Sequence, residues 1–213
     1  MSGTPGRPHA RGWAVCAAAL AVSSALLSGC RTVSHHATSA VSAQALAGLD
    51  WPARRAWLQD RARFSLQGKV AVTAGGDGFS GHLRWSQQDR LSTLNLEGPL
   101  GVGGLRVDSD GQRMDLARGS GQKLDGAAAR AELEAHLGFE PPLMHLRYWI
   151  QGVPDPGLPA VETLDGAQRL AALAQDGWEI AYGAYQNQPG GLPQRLSLTR
   201  AGVRVRLVID SWD

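Results

Sequence analysis

Cysteine, charge of one sign and long apolar runs are all scarce in this chain of 213 residues. Two cysteines leave little material for a disulfide framework or a thiolate metal site. The 21 basic residues nearly balance the 19 acidic ones and the arginines are scattered singly, so we do not expect the chain to bind nucleic acid. No apolar run reaches the roughly 20 residues that a membrane-spanning helix needs.

Catalytic spacings are missing as well. The sequence contains no zinc-protease, nucleophile-elbow, phosphate-loop or dinucleotide motif. Ser120 and Lys123 match a Ser-x-x-Lys pattern, but the glycines around them predict a turn. Glu132 and Glu134 stand two apart in a predicted helix and therefore face different ways. We predict that the protein is not an enzyme and that it holds no metal.

The composition that is present suits a folded protein. Hydrophobic residues make up 43% of the chain and charged residues 19%, which permits a packed core. Glycine, with 27 residues, is about twice as frequent as in an average protein, and this predicts many tight turns. The length favours one domain.

The first 29 residues have the pattern of a signal peptide. A polar stretch with Arg7 and Arg11 precedes the uncharged run Trp13–Leu27, which is too short to span a membrane. Removal of this segment leaves 19 basic and 19 acidic residues, a net charge of zero.

The signal peptide ends in Leu-Ser-Gly-Cys, which resembles the bacterial lipobox. The resemblance implies cleavage before Cys30, followed by S-diacylglycerol and N-acyl modification of that cysteine, with no other cofactor. Arg31 in the next position points to the outer membrane. The alternative is a short membrane anchor with an incidental cysteine. Because Cys16 lies in the apolar run, no thiol remains for a disulfide.

Residues 30–48 are predicted to form a flexible tether, and residues 49–213 a single domain. The tether is rich in Ser, Thr and Ala without apolar periodicity, and we do not expect its pair His35 and His36 to bind metal. Asp50 caps a predicted helix that continues to about Arg63.

Alternation of apolar and polar residues predicts strands in two blocks, separated by two helices. The helices are 127–137, which stops at Gly138, and a second one from Leu143 to Gly152. Prolines then predict a stiff connection. The predicted strands are 64–72, 79–85, 91–96, 104–108, 113–117, 170–174, 178–185, 195–199 and 203–211. Asp110 and Gly111 predict a hairpin between two of them.

A one-sided antiparallel meander with a few helices can bury its apolar faces in two ways. It can fill its core with side chains, or it can wrap around a cavity that helices close. Composition alone leaves both open.

Several segments are similar to a known family. They are Trp85 and Gln87, Leu94 and Leu96, Glu97-Gly98-Pro99-Leu100-Gly101, the run 146–154 of Leu-Arg-Tyr-Trp-Ile-Gln-Gly-Val-Pro, and the run from Trp178 to Tyr185. Together with the lipobox they resemble the LolB family of outer-membrane lipoprotein receptors, over about 51–212.

The resemblance implies a mainly β fold with helices: an incomplete antiparallel β-barrel closed by a helical lid around a hydrophobic cavity. It implies a lipid-anchored monomer on the periplasmic face of the outer membrane. Such a protein accepts acylated cargo lipoproteins from a soluble, LolA-like periplasmic carrier and inserts them into the inner leaflet of the outer membrane. The family's membrane-insertion loop corresponds to Pro99, Leu100 and Gly101, with Leu100 as the projecting residue. From its neighbours alone, Leu100 is better interpreted as a turn residue folded onto the core.

Seven large apolar residues are candidates for the lining of an acyl-chain cavity, with ordinary core packing as the alternative for each: Trp85, Leu94, Leu96, Trp149, Trp178, Leu196 and Val205. A structural envelope lipoprotein that acts as a protein-interaction scaffold is the alternative function, and it predicts a filled core.

Overall fold

Antiparallel strands that are apolar on one face build most of this protein. The computed structural model describes residues 44–98 and 104–213. In these ranges eleven strands form one antiparallel sheet. The strands are β1 (Arg63–Ala74), β2 (Asp77–Gln88), β3 (Leu91–Glu97), β4 (Leu105–Ser109), β5 (Met114–Arg118), β6 (Lys123–Asp125), β7 (Ala160–Leu164), β8 (Leu170–Gln175), β9 (Trp178–Tyr185), β10 (Pro193–Arg200) and β11 (Val203–Trp212).

The strand order makes the sheet an open structure. The order across the sheet is β6-β5-β4-β3-β2-β1-β11-β10-β9-β8-β7. The first and last strands in chain order, β1 and β11, are therefore neighbours at its centre. Within the described ranges β6 and β7 form the two ends and do not pair with each other. The prediction of a mainly β fold with an incomplete antiparallel barrel is confirmed.

Burial follows the predicted alternation. Phe64, Leu66, Gly68, Val70 and Val72 of β1 are buried, and the residues that alternate with them are partly or fully exposed. The Asp110-Gly111 hairpin is confirmed, since β4 and β5 pair across it with Gly111 at φ +88°.

Glycine is required where β1 and β2 approach their neighbours most closely. A Cβ at Gly68 would lie 2.2 Å from the carbonyl oxygen of Val208, at a β-bulge beside Gln67. A Cβ at Gly81 would lie 2.2 Å from the carbonyl oxygen of Glu97. In both places the obstacle is backbone, which no side-chain rotation relieves.

Gly68→Ala is therefore expected to destabilise the domain. Overpacking typically costs about 1 to 3 kcal/mol, because strands must shift to admit the methyl group. Gly183→Ala in β9 is the matched control, since its Cβ would make only ordinary contacts at 3.8 Å and beyond. Urea unfolding measures both, and equal free energies of unfolding for the two variants would contradict this account.

Three helices accompany the sheet in the described ranges. They are α1 (Trp51–Asp60), α2 (Gly126–Leu137) and α3 (Leu143–Trp149). The Asp50 side chain accepts the N–H of Ala53 at 3.0 Å and caps α1 as predicted. Gly138 ends α2 in the left-handed conformation at φ +78°. The described helices include none that is long and apolar enough to cross a membrane.

Some boundaries differ from the predictions. The helix predicted to reach about Arg63 ends at Asp60, because Arg61 is already extended at ψ 98° and Arg63 begins β1. Residues 44–46 are helical and Leu46 is 2% exposed, so the end of the segment predicted as a tether packs against the domain. The strands β6 and β7 were not predicted. Neither carries a fully buried residue, so the apolar alternation that reveals the other strands is weak there.

Candidate functional site

An apolar cavity lies between one face of the sheet and the helices α2 and α3. It contains about 60 Å³ of free volume. All of its lining residues are apolar: Val70, Val72, Leu83, Trp85, Leu94, Leu96, Val107, Leu133, Leu137, Phe139, Pro141, Pro142, Leu143, Leu146, Trp178, Leu198, Val205 and Leu207.

Cross-strand neighbours form the wall of the cavity. Trp85 stands opposite Leu94 in the register of β2 and β3. Val72 stands opposite Val205 where β1 meets β11, and Val205 is in turn opposite Leu198. Directly opposed side chains on one face pack against each other, so the wall is continuous across the centre of the sheet.

The lid consists of α2, α3 and the segment between them. Leu133 and Leu137 are one turn apart on α2 and both face the cavity. Phe139, Pro141 and Pro142 continue the lid in the segment that joins α2 to α3.

The two lid helices are held differently. On its outer side α2 is attached by exposed polar contacts, an ion pair of Glu132 with Arg118 and a hydrogen bond from Arg130 to the carbonyl oxygen of Gln112 at 3.0 Å. At the end of α3, the Tyr182 hydroxyl donates to the carbonyl oxygen of Trp149 at 2.8 Å in the buried interior. Exposed pairs contribute about 0 to 1 kcal/mol each, so α2 is held mainly by the packing of its buried residues Ala129, Leu133 and Leu137.

Five of the seven predicted lining residues lie in this cavity and two do not. Trp85, Leu94, Leu96, Trp178 and Val205 line it. Leu196 and Trp149 are buried at 3% and 0% exposure but lie outside the lining. The Trp149 indole donates to Oε1 of Gln175 at 2.7 Å, which makes this residue part of a buried hydrogen-bonded core.

Trp178 lines the cavity with its ring and carries a buried, unpaired indole N–H that does not open onto the cavity. Its side chain is 2% exposed and its indole N–H has no hydrogen-bond partner among the described residues. Phe139 and Trp149 pack against its ring, with centroids 5.8 and 6.3 Å away. An unpaired buried donor costs about 1 to 3 kcal/mol.

His136 adds a titratable group to the lid. It is half-buried on α2 beside Phe79, with ring centroids 5.0 Å apart, and its Nε2 has no partner in the described part of the chain. Burial, and secondarily the positive charge of Arg118, lower the pKa of His136 below its ordinary value of 6.5. The folded state therefore favours the neutral ring.

The stability of the domain is expected to fall as the pH drops below about 6.5, the unfolded pKa of histidine. In that range the unfolded chain takes up a proton at position 136 before the folded chain does, and the loss is complete below the folded pKa. Thermal unfolding between pH 7.5 and pH 5 measures it. His136→Phe should flatten the profile relative to His82→Phe, which replaces an exposed histidine of β2. Identical profiles would exclude His136 as the source.

Several predicted residues lie outside the described ranges. They are the lipidation candidate Cys30, the pair His35 and His36, and the loop residues Pro99, Leu100 and Gly101. In the described ranges no group of three or more His, Cys, Asp or Glu side chains is placed to hold a metal ion. The turn predicted around Ser120 and Lys123 is present: the N–H of Gly121 donates to the carbonyl oxygen of Arg118, and Lys123 begins β6.

Sequence reasoning missed most of the lid lining and part of the wall. Leu83 and Val72 share faces with predicted residues, so the same alternation that selected Trp85 and Val205 would have found them. On the lid, the four-residue spacing of Leu133 and Leu137 was the available signal.

An open antiparallel sheet that carries helices over an apolar cavity defines a class of mainly β proteins. The chain belongs to the LolB family: the family model described as outer membrane lipoprotein LolB matches residues 62–212.

Individual relatives agree with this assignment. The outer-membrane lipoprotein LolB of Pseudomonas aeruginosa is 36% identical over 189 residues, which cover 88% of this chain and 91% of that protein. The protein of the same name from Pseudomonas putida is 36% identical over 163 residues, covering 76% of this chain and 80% of the relative. A solved structure of a DUF1329 family protein from Desulfovibrio piger matches with a TM-score of 0.50 at 9% identity, over 82% of this chain and 92% of that one. This last likeness shows the fold alone.

Proposed function

We propose that this protein is the outer-membrane receptor for lipoproteins: it takes acylated cargo from a soluble LolA-like carrier and inserts it into the inner leaflet of the outer membrane. The observation that carries the proposal is the cavity lined only by apolar side chains, in a chain of the LolB family. Such a cavity suits the acyl chains of a cargo lipoprotein, because hydrocarbon is stabilised by leaving water at about 0.8 kcal/mol for each methylene group.

The proposed transfer needs no nucleotide and no catalytic residue. Cargo passes from a carrier that holds acyl chains weakly to this cavity and then to the bilayer, each step favoured by the burial of apolar surface.

Cargo entry requires the lid to move. The free volume of about 60 Å³ is smaller than the roughly 150 Å³ of an engineered cavity that admits benzene. The helix α2 is the element we expect to move, because its exposed polar contacts are weak and it lies between Gly126 and Gly138, both at positive φ. The described structure is then the closed form.

Binding of an environment-sensitive fatty acyl probe tests the proposal. Saturable binding, followed by transfer of a cargo lipoprotein from the carrier to this protein, supports a receptor. Absence of saturable binding supports the alternative of a structural envelope lipoprotein that acts as a scaffold.

The anchor is a separate proposal that concerns Cys30. Cys30→Ser is expected to abolish lipid labelling and to leave an uncleaved or mislocalised precursor, because the modified atom is the cysteine sulfur. Metabolic labelling with a radioactive fatty acid measures this, and Cys16→Ser is the matched control. Labelling that persists in Cys30→Ser would refute the lipobox assignment.

A further inference from the structure

A second recess lies beside the acyl cavity and, unlike it, is lined largely by polar and charged residues. It contains about 220 Å³ of free volume between the end of α1, the turn from β2 to β3 and the end of α3. Its polar side chains include Arg61, Arg90, Arg147, Tyr148 and Gln151, and we call it the arginine recess.

The arginine recess and the acyl cavity share two elements. Gln87 of the recess follows the cavity residue Trp85 by two positions on β2, and the Trp85 indole donates to Oε1 of Gln87 at 3.3 Å. On α3, Arg147 of the recess directly follows Leu146 of the cavity.

Arg61 is a partly buried cation with an unpaired guanidinium nitrogen. Its Nη1 is buried and has no partner, and its Nη2 makes only a long hydrogen bond of 3.4 Å to the main-chain oxygen of Asp213. Over the described residues it forms no ion pair with a carboxylate. Burial lowers the pKa of Arg61 to about 10. An anion in the recess would offset this desolvation.

Arg147 presents a second guanidinium that is held in place. Its Nη1 donates to the carbonyl oxygen of Asp89 at 3.1 Å, its Nη2 donates to the Tyr148 hydroxyl, and the group stacks over the Tyr148 ring at 4.5 Å. Its Nε is buried and has no partner in the described ranges. It also lacks an ion pair there. A fixed guanidinium with an unused donor is suited to phosphate recognition.

Gln151 supplies an unpaired acceptor at the same place. The side chain is 1% exposed, and its Nε2 donates to the carbonyl oxygen of Arg147 at 3.0 Å. This bond fixes which end of the amide is the oxygen. Oε1 is buried without a donor among the described residues. The recess therefore has unused donors from two arginines and an unused acceptor from one glutamine.

We infer that the arginine recess binds a phosphate ester, with its anionic oxygens at Arg61 and Arg147 and a hydroxyl hydrogen of the same ligand donated to Oε1 of Gln151. Two carboxylates, Asp60 and Asp89, border the recess. Asp89 is paired with Arg63 at 3.5 Å, so it opposes an anion less than a free carboxylate would. The free volume is several times the roughly 30 Å³ that a water molecule occupies, which is enough for a phosphate group with its substituent.

Two sources share this chemistry, free phosphate and the headgroup of a phospholipid. Calorimetric titration of the full-length protein, purified in a non-ionic detergent, separates them with two water-soluble probes. The probes are inorganic phosphate and glycerophosphoglycerol, a phosphodiester that carries hydroxyl groups. Tighter binding of the diester, with the preference lost in Gln151→Met, assigns the recess to a lipid headgroup. Equal or tighter binding of inorganic phosphate assigns it to the free anion and overturns the role given to Gln151.

Charge-neutralising variants test the arginines. Arg61→Gln and Arg147→Gln are each expected to weaken binding of the diester by about 10-fold or more, since each removes charge-assisted hydrogen bonds. Arg204→Gln, on the exposed face of β11, is the matched control and should bind as the unmodified protein does. If Arg147→Gln fails to fold, Arg61→Gln decides, because Arg61 makes only one long hydrogen bond.

Three results would overturn the inference: neither probe binds, Arg61→Gln binds normally, or Arg204→Gln loses as much affinity as the recess variants. The outcome is independent of the acyl-transfer proposal. A lid variant such as Leu133→Asp should keep its phosphate affinity if it folds, and Arg61→Gln should keep its affinity for a fatty acyl probe.

Discussion

Leu133→Asp is expected to reduce the affinity for a fatty acyl probe by more than about 10-fold, because an unpaired carboxylate in an apolar cavity costs several kcal/mol. Leu133 is 2% exposed and points from α2 into the lining. Ala135→Asp places the same charge on the exposed side of the same helix and should leave binding unchanged. Fluorescence titration measures both variants.

Leu133→Ala keeps this test decisive if the aspartate variant does not fold. Truncation of the leucine weakens the closed lid, with a cost to stability of up to about 2 to 5 kcal/mol. Because the closed form competes with binding, the affinity for the probe should rise while the melting temperature falls. A folded Leu133→Asp that binds normally would show that acyl chains do not enter this cavity.

Leu100→Glu is expected to separate cargo acceptance from membrane insertion. By sequence, Pro99 restricts φ to about −65° and Gly101 permits positive φ, so the pair can hold the leucine outward in a tight turn. Burial of an exposed leucine in a membrane is favourable by about 1.5 to 3 kcal/mol. The variant should accept cargo from the carrier at the normal rate and lose most of its transfer to liposomes, at least about 10-fold.

Leu91→Glu is the matched control for the loop. Leu91 is an exposed leucine, at 45% exposure, at the start of β3, whereas residues 99–101 follow that strand in the sequence. Equal loss of acceptance and insertion in Leu100→Glu would mean that Leu100 is a core residue. Loss of neither step would remove the loop from the mechanism.

Local patterns predicted the strands whose two faces differ. The alternation in β1 and β11 was sufficient because one face of each is buried and the other is wet. The edge strands β6 and β7 were not predicted because neither has a buried face that would produce an alternation of apolar and polar residues. At both positions a tertiary partner, not the local sequence, determines the strand.

The sequence predicted which side chains face the interior, but not which of them line the cavity. Alternation placed Trp85 and Leu196 alike on the inner face, yet only Trp85 reaches the cavity. Position along a strand decides which layer of the interior a side chain fills, and periodicity carries no information on that. That Arg61 and Arg147 line the same recess could not be predicted from the sequence either. In the sequence each is an isolated arginine with no sign of a neighbour, and only the fold brings the ends of α1 and α3 together.

Because the sheet is not closed into a barrel, its radius of curvature is not fixed by main-chain hydrogen bonds. A closed barrel has a radius set by its number of strands and their stagger, so widening it requires breaking a ladder of main-chain hydrogen bonds. Here β6 and β7 are the two edge strands and are not paired with each other. The curvature of the sheet can therefore decrease slightly without the loss of any hydrogen bond between adjacent strands. The volume of the interior is thus limited by side-chain packing rather than by a closed ring of main-chain hydrogen bonds.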